Sequence, residues 1–130
     1  MKTVQRGVRV VSMTLRMVKD VLAAETIFGE ELLAGIEVDS CYSADLMSDV
    51  LGRAKANGLL LTGLTNPQAV RTAEVADIKA VCIVRGKKPE SVMVELAKEK
   101  NIPLLVTKLT MFEACGILYV NGLKGVAERQ

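Results

Sequence analysis

The sequence has 130 residues, of which half are hydrophobic and only 3% aromatic, and its mean hydropathy is +0.30. This length predicts a single domain with an aliphatic core. The formal net charge is +2, but Lys2, Arg6 and Arg9 supply three of the 17 basic residues, so the chain from Met13 onward carries a net charge of −1. This balance argues against a nucleic-acid partner, and the apolar runs are too short for a membrane span.

Residues 1–12 are basic and are predicted to be an extension of a domain that spans residues 13–130. The apolar run over residues 8–11 favours a short strand, but Arg9 interrupts it, and it is too short for a signal peptide. Two interpretations stay open. Either the segment is a flexible or strand-forming extension, or the sequence was read from an upstream translation start and Met13 is the natural first residue.

The chain between residues 14 and 40 predicts a helix, a strand, one helical turn and a second strand. Helical spacing of Leu15, Val18 and Leu22 indicates the helix, which we expect to become regular near Met17 or Val18. Alternation of apolar and acidic residues after Gly35 indicates a half-buried strand. The predicted elements span residues 14–24, 26–28, 30–33 and 35–40.

The next helix is predicted over residues 44–56. Ser43 is its expected N-cap, and Asp45 lies in its first turn, where the helix dipole favours an acidic side chain. Asn57 and Gly58 end the helix, as a left-handed C-cap would. The expected buried stripe of this helix consists of Leu46, Met47, Val50 and Leu51.

From residue 58 to residue 122 a short apolar run is followed by a helical run, three times over. Unbroken runs of Leu, Val and Ile are typical of strands buried on both faces of a parallel sheet. Helix starts are marked by Asn66 with Pro67, by Pro89, and by a capping box of Thr110 and Glu113. The predicted strands span residues 58–62, 80–84 and 103–107, and the predicted helices span residues 66–76, 89–100 and 110–122.

Each strand–helix–strand step forms a βαβ unit. The sequence therefore predicts an α/β fold, a single small domain with a mainly parallel sheet and helices on both faces. The apolar surplus also favours a homodimer over a monomer. The helix residues expected to face the sheet are Val70, Ala73 and Val75, then Val92, Met93 and Leu96, then Met111, Cys115, Leu118 and Tyr119.

The three cysteines are an odd number, and their spacing fits no zinc motif. Cys82 and Cys115 fall on apolar positions and are expected to be buried in a protein of the reducing cytoplasm. Cys41, beside Tyr42, is expected to be the most exposed thiol, with no neighbouring cation to activate it. Neither a metal site nor a cofactor is predicted.

Ligands of open α/β folds bind at the carboxyl ends of the strands. Here that edge collects hydroxyls, two glycines, three helix N-termini and four cations, which together suit an anion. Loop backbone would cradle the anion, hydroxyls would orient it and cations would neutralise it. The same residues would also cap helices and solvate loops in a protein without a ligand. The candidate ligand-binding residues are Thr62, Gly63, Thr65, Asn66, Arg85, Lys87, Lys88, Thr107, Lys108 and Thr110.

No catalytic residue is predicted. The sequence contains no histidine, no Gly-x-x-x-x-Gly-Lys-Ser/Thr loop and no Gly-x-Gly-x-x-Gly fingerprint. Asp45 and Asp49 are four residues apart and share a predicted helix face. They could hold a divalent cation, but stabilisation of the helix dipole is the stronger interpretation.

Four stretches carry a family resemblance. They are Leu-Leu-Leu-Thr-Gly at 59–63, Val-Arg-Gly-Lys-Lys-Pro-Glu at 84–90, Glu-Leu-Ala-Lys-Glu-Lys-Asn-Ile-Pro-Leu-Leu-Val-Thr at 95–107, and Thr-Met-Phe-Glu at 110–113. Together they resemble the DRTGG domain, which precedes the kinase part of HPr kinase/phosphorylase. The domain also occurs in some phosphotransacetylases and in pyrophosphatases that carry CBS domains. Stand-alone versions look similar along most of residues 13–123.

The chain departs from the family pattern in two loops. Residues 63–67 lack the usual Asp-Arg pair, and residues 85–88 replace a small glycine pair with Arg-Gly-Lys-Lys. The kinase part is absent from these 130 residues, so the resemblance implies a module that is not an enzyme. Our first hypothesis is a homodimeric regulatory module that binds a small anionic metabolite or nucleotide. The alternative is an interaction subunit that docks onto a metabolic enzyme without a small ligand.

Overall fold

The computed structural model describes residues 12–126 and, for the backbone alone, residues 4–5 and 8–9. Val4–Gln5 (β1) and Val8–Arg9 (β2) pair as an antiparallel ladder. The rest of the predicted extension and the last four residues of the predicted domain lie outside the described residues. The division of the chain at residue 12 therefore stays a prediction.

The first part of the domain consists of short elements. Thr14 caps the first helix, because its side-chain oxygen accepts a hydrogen bond from the Met17 N–H at 3.1 Å. The helix is therefore regular from Leu15, earlier than expected. The strand predicted over residues 35–40 is in fact two strands separated by a bend at Asp39. The elements are Met13–Thr14 (β3), Leu15–Leu22 (α1), Glu25–Phe28 (β4), the 3-10 helix Glu30–Gly35, Glu37–Val38 (β5) and Ser40–Ser43 (β6).

The rest of the domain alternates helices and strands, as predicted. Its elements are Met47–Arg53 (α2), Gly58–Thr62 (β7), Gln68–Val75 (α3), Ala80–Ile83 (β8), Ser91–Lys100 (α4), Leu104–Val106 (β9) and Met111–Val120 (α5). Five strands form one sheet in the order β4-β9-β8-β7-β6. Strands β6 to β9 are parallel, and β4 is an antiparallel edge strand. Strand β3 pairs with β5 apart from this sheet. The predicted α/β class is confirmed.

Side chains of the central strands alternate between two hydrophobic layers, as the two-residue period of a strand requires. Leu59 and Leu61 face the layer that contains α1 and α5. Leu60 between them faces the layer that contains α2, α3 and α4. Helices therefore cover both faces of the sheet, as the unbroken apolar runs predicted.

The prediction for the second helix is wrong in its start, in its end and in half of its stripe. The helix ends at Arg53 with Ala54 in an extended conformation at its C-cap, so Asn57 and Gly58 do not end it. Strand β6 continues to Ser43, and the Ala44 N–H still donates to the Leu61 carbonyl oxygen at 3.1 Å, so the chain stays extended beside β7. Ser43 is thus a strand residue and caps no helix, and α2 begins only at Met47. In this shorter helix Met47 and Val50 are buried, whereas Leu46 and Leu51 are exposed.

Three other helix residues expected to face the sheet are exposed: Val75, Val92 and Tyr119. Each lies one or two positions from a buried neighbour. A step of one residue turns the side chain by about 100° around the helix axis. The face that touches the sheet is therefore narrower than the apolar stripe of the sequence.

Candidate functional site

The carboxyl edge of the sheet contains a topological switch point between β8 and β9. The chain leaves β8 for α4, whose Met93 and Ala97 pack in one hydrophobic layer. It leaves β9 for α5, whose Ala114 and Leu118 pack in the opposite layer. Adjacent strands whose helices go to opposite faces open the crevice in which α/β folds bind ligands.

A tight turn after β8 lies against the loop after β9. Arg85 and Gly86 both have left-handed backbone angles, with φ of +65° and +63°. The Arg85 N–H donates to the Leu109 carbonyl oxygen and the Gly86 N–H to that of Thr107, both at 2.8 Å. A Cβ on Gly86 would lie 3.5 Å from Cγ of Lys108, so the turn packs directly on this lysine.

Gly63, just after β7, joins the same group of loops. A Cβ on Gly63 would lie 3.4 and 3.5 Å from the two carboxylate oxygens of Asp45 and 3.7 Å from Nζ of Lys87. The Thr65 carbonyl oxygen accepts a hydrogen bond from the Glu90 N–H at 2.9 Å. The loops that follow β6, β7, β8 and β9 therefore meet at one place.

Four exposed cations surround this place, and we call them the cationic rim: Arg85, Lys87, Lys88 and Lys108. Within residues 12–126, none of the four forms an ion pair with a carboxylate. Unpaired cations at a switch point are suited to an anion.

The threonines of the predicted site have internal hydrogen bonds. Thr107 is buried, and its hydroxyl donates to the Leu22 carbonyl oxygen at 2.7 Å and accepts from the Leu109 N–H at 3.3 Å. Thr62 is also buried, and its hydroxyl donates to Oδ1 of Asp45 at 3.2 Å. These two hydroxyls connect the strand ends to the last residue of α1 and to the loop before α2.

Two other predicted site residues lie beside helix starts. Thr110 forms the predicted capping box with Glu113 at the start of α5. Asn66 was expected to be the N-cap of α3, but the N-cap is Pro67, and Oδ1 of Asn66 accepts a hydrogen bond from the Gln68 N–H at 3.0 Å in the turn before the helix. Thr65 is half-buried in the loop between β7 and α3. Whether any of these residues touches a ligand stays a prediction.

Asp45 is the residue of this edge that sequence reasoning missed. We expected it in the first turn of a helix, but it precedes α2, and its Oδ1 accepts a hydrogen bond from the Gly63 N–H at 2.7 Å. The signal was available, since a residue that follows β6 must lie at the same edge as one that follows β7. Within residues 12–126, no group of three His, Cys, Asp or Glu side chains is arranged to hold a metal ion.

Cys82 is buried as expected, but Cys41, expected to be exposed, and Cys115, expected to be buried, are both half-buried. Cys41 is half-buried beside the core, and burial raises the pKa of its thiol well above the usual value. Burial likewise raises the pKa of Cys82 to about 12. Strand β6 is an edge strand of the sheet, and Cys41 packs under a groove of about 370 Å³ between β6 and α5.

The groove has an exposed aromatic wall. Phe112 and Tyr119 lie on α5 with exposed fractions of 86% and 63%, and the Lys124 ammonium lies 5.3 Å from the Tyr119 ring centroid.

Among the described residues, no helix has the length and apolar character that a membrane span requires.

The fold has a counterpart among solved structures. The structure is similar to the CBS and DRTGG domains of the regulatory region of Clostridium perfringens pyrophosphatase, solved with the activator diadenosine tetraphosphate. The TM-score is 0.61 at 18% sequence identity, and the match covers 88% of this chain and 51% of that chain. This chain thus spans about half the length of that structure. At the level of fold, the similarity confirms the resemblance to the DRTGG domain.

No family model and no curated protein matches the sequence.

Proposed function

We propose that this chain is a non-catalytic regulatory module that binds a small anionic metabolite or a nucleotide at the carboxyl edge of its parallel sheet. The observation that carries the proposal is the cationic rim beside the switch point between β8 and β9. The protein of similar fold is a regulatory region solved with a nucleotide activator, which supports a regulatory role and a phosphorylated ligand.

The ligand is held chiefly by side chains. The backbone N–H groups of Arg85 and Gly86 donate to carbonyl oxygens, and that of Gly63 donates to Asp45. The ammonium and guanidinium groups of the rim are exposed, so they attract an anion through solvent. Binding is therefore expected to weaken as ionic strength rises.

We further propose that the module is a homodimer of the reducing cytoplasm. Its three cysteines are free thiols, and reducing conditions keep them so. The apolar side chains on the outside of α5, which include Val120 with an exposed fraction of 81%, offer a surface for a second copy.

The exposed face of α5 also favours a second candidate function. Phe112, Tyr119 and Val120 would dock onto a metabolic enzyme, and the module would then act without a small ligand. Sedimentation of the purified protein measures its oligomeric state, which distinguishes self-association through this face from docking onto another protein. A dimer dissociated by Phe112→Ser assigns the face to self-association, and a monomer leaves it available for another protein.

A thermal-shift screen tests the anion site. Purified protein is heated with nucleotides, sugar phosphates and phosphorylated acids. A ligand at one hundred times its dissociation constant should add about 2.7 kcal/mol to the free energy of unfolding. The triple variant Arg85→Ala/Lys87→Ala/Lys88→Ala should lose this shift.

A matched control removes the same charge elsewhere. Lys55, Lys79 and Lys98 are exposed, two of them near the amino ends of β7 and β8 and the third in the last turn of α4. The variant with alanine at these three positions should keep the shift. If both triple variants lose it equally, the effect is one of net charge, and the assigned site is wrong. A screen without any hit in the wild-type protein contradicts the regulatory ligand and favours the docking subunit.

A further inference from the structure

We propose that Asp45 makes the site selective for an anion that also carries an N–H donor, such as an ammonium or amino group, and selective against bare polyanions. This inference rests on the proposed function, because it concerns which anion the cationic rim accepts.

One oxygen of the Asp45 carboxylate is fixed in place. Oδ1 accepts hydrogen bonds from the Gly63 N–H at 2.7 Å and from the Thr62 hydroxyl at 3.2 Å. Thr62 is fully buried at the end of β7, so the carboxylate is anchored on a rigid element. The side chain therefore does not have to be ordered when a ligand arrives.

The other oxygen is open. Oδ2 accepts no hydrogen bond from residues 12–126, and Asp45 is exposed to solvent. A carboxylate oxygen with free lone pairs can accept from an N–H or ammonium donor of a ligand. Asp45 thus offers a fixed acceptor at the border of a group of cations.

The acceptor and a cation lie beside the same residue, Gly63. The place that a Cβ would take on Gly63 lies at van der Waals contact distance from both groups, 3.5 Å from Oδ2 of Asp45 and 3.7 Å from Nζ of Lys87. The carboxylate and the ammonium are therefore close neighbours at this edge. The site therefore presents both signs of charge to one small ligand.

This arrangement discriminates between ligands. A bare polyanion that approaches Lys87 also approaches Asp45, which repels it. A ligand with a phosphate or carboxylate and an ammonium places the anion on the rim and the ammonium on Oδ2. Both groups are exposed, and such ion pairs contribute modestly, so we expect a preference of roughly threefold.

Two matched phosphates measure this preference. O-Phosphoethanolamine and ethyl phosphate share the phosphate and the two-carbon chain, and they differ by the ammonium. Each is titrated into ¹⁵N-labelled protein up to millimolar concentration, at constant ionic strength, and the shift of the Gly63 amide signal is followed. The wild-type protein should bind O-phosphoethanolamine roughly threefold more tightly than ethyl phosphate.

Asp45→Asn is the decisive variant. Asparagine keeps a carbonyl oxygen for the Gly63 N–H and the Thr62 hydroxyl but removes the charge, and dispersed amide signals verify that the variant is folded. Ethyl phosphate should bind this variant more tightly, and the preference for the ammonium should disappear. Asp49→Asn, an exposed acid within α2, is the control and should retain the wild-type preference.

The outcomes separate this inference from the proposed function. Equal affinities in the wild type, or a preference that survives in Asp45→Asn, overturn the selectivity and leave the anion site standing. If the wild type and Asp45→Asn bind neither phosphate, the anion site fails and the selectivity fails with it.

Discussion

Two groups of polar residues lie at the carboxyl edge of the sheet, and they differ in whether their side chains have hydrogen-bond or ion-pair partners within the protein. The buried group, with Thr62 and Thr107, has hydrogen bonds to a carboxylate and to a backbone carbonyl oxygen. The exposed group, the cationic rim, forms no ion pair within residues 12–126. The buried group can therefore hold the loops while the exposed group remains available to a ligand.

Three cations elsewhere on the surface are paired. Glu30 binds Lys19 at 2.9 Å and Arg16 at 3.0 Å, and Glu74 binds Lys100 at 3.3 Å. Other exposed lysines, such as Lys55, Lys79 and Lys98, also form no ion pair within residues 12–126. The rim therefore differs from them in its position beside the switch point and not in lacking ion pairs.

The largest expected effect is on stability, at Thr107. Thr107→Val keeps the shape but leaves the Leu22 carbonyl oxygen and the Leu109 N–H without their buried partner. The variant should lose about 1–3 kcal/mol of unfolding free energy, measured by urea denaturation. Thr65→Val, at a half-buried position of the same edge, is the control and should lose less than about 0.5 kcal/mol. An unchanged stability with lost ligand binding would move Thr107 from the buried group to the ligand site.

Asp45 should show a smaller effect of the same kind. Asp45→Ala removes the acceptor of the Gly63 N–H and the Thr62 hydroxyl, but Asp45 is exposed, so water replaces part of these bonds. We expect a loss of about 1 kcal/mol in unfolding free energy. Asp49→Ala removes the same charge from α2 and should be close to neutral. Equal losses in the two variants would assign the effect to charge and not to the hydrogen bonds.

The rim should contribute almost nothing to stability. Each alanine substitution at Arg85, Lys87 or Lys88 should change the unfolding free energy by no more than about 0.5 kcal/mol. The triple variant should nevertheless lose the thermal shift caused by a bound anion. A strongly destabilised triple variant would mean that the rim packs against the fold, and the contrast with the buried group would vanish.

The sequence predicted the central βαβ units because the patterns that indicate their strands and helices involve only residues close together in the chain. An unbroken apolar run such as residues 80–84 and a capping box such as that of Thr110 and Glu113 depend on neighbours along the chain. The first third was harder to predict, since its elements depend on partners far away in sequence. Strand β6 extends to Ser43 only because β7 pairs with it, and this pairing delays the start of α2.

For the candidate site, the positions of the cations could be predicted from the sequence, whereas the side-chain hydrogen bonds could not. Parallel strands bring their carboxyl ends together, so the four cations could be placed at one edge from the sequence. The hydrogen-bond partner of a hydroxyl could not be predicted, since the Thr107 hydroxyl donates to the Leu22 carbonyl oxygen, 85 residues away in sequence. The faces chosen by α4 and α5, which locate the switch point between β8 and β9, also follow from tertiary packing and not from a local pattern.

The smallest expected effect concerns Glu30, a carboxylate that pairs with two cations, unlike any described acid beside the rim cations. The pKa of Glu30 is lowered to about 2 by Thr26 and Lys19, with Arg16 adding to the effect. The Thr26 hydroxyl has no partner at hydrogen-bond distance among the described residues, so we assign the effect mainly to Lys19, which donates at 2.9 Å. Because the folded pKa is depressed, the stability due to Glu30 is complete above pH 4.5, the ordinary value, and is lost as the pH falls toward 2.

The measurement compares the melting temperatures of the wild type and Glu30→Gln across this range. The wild type should melt slightly higher above pH 4.5, and the two curves should merge near pH 2. The same comparison for Lys108→Ala should be flat over this interval, since Lys108 forms no ion pair within residues 12–126. An acid-dependent difference for Lys108→Ala would reveal a carboxylate partner in solution and would remove Lys108 from the cations available to a ligand.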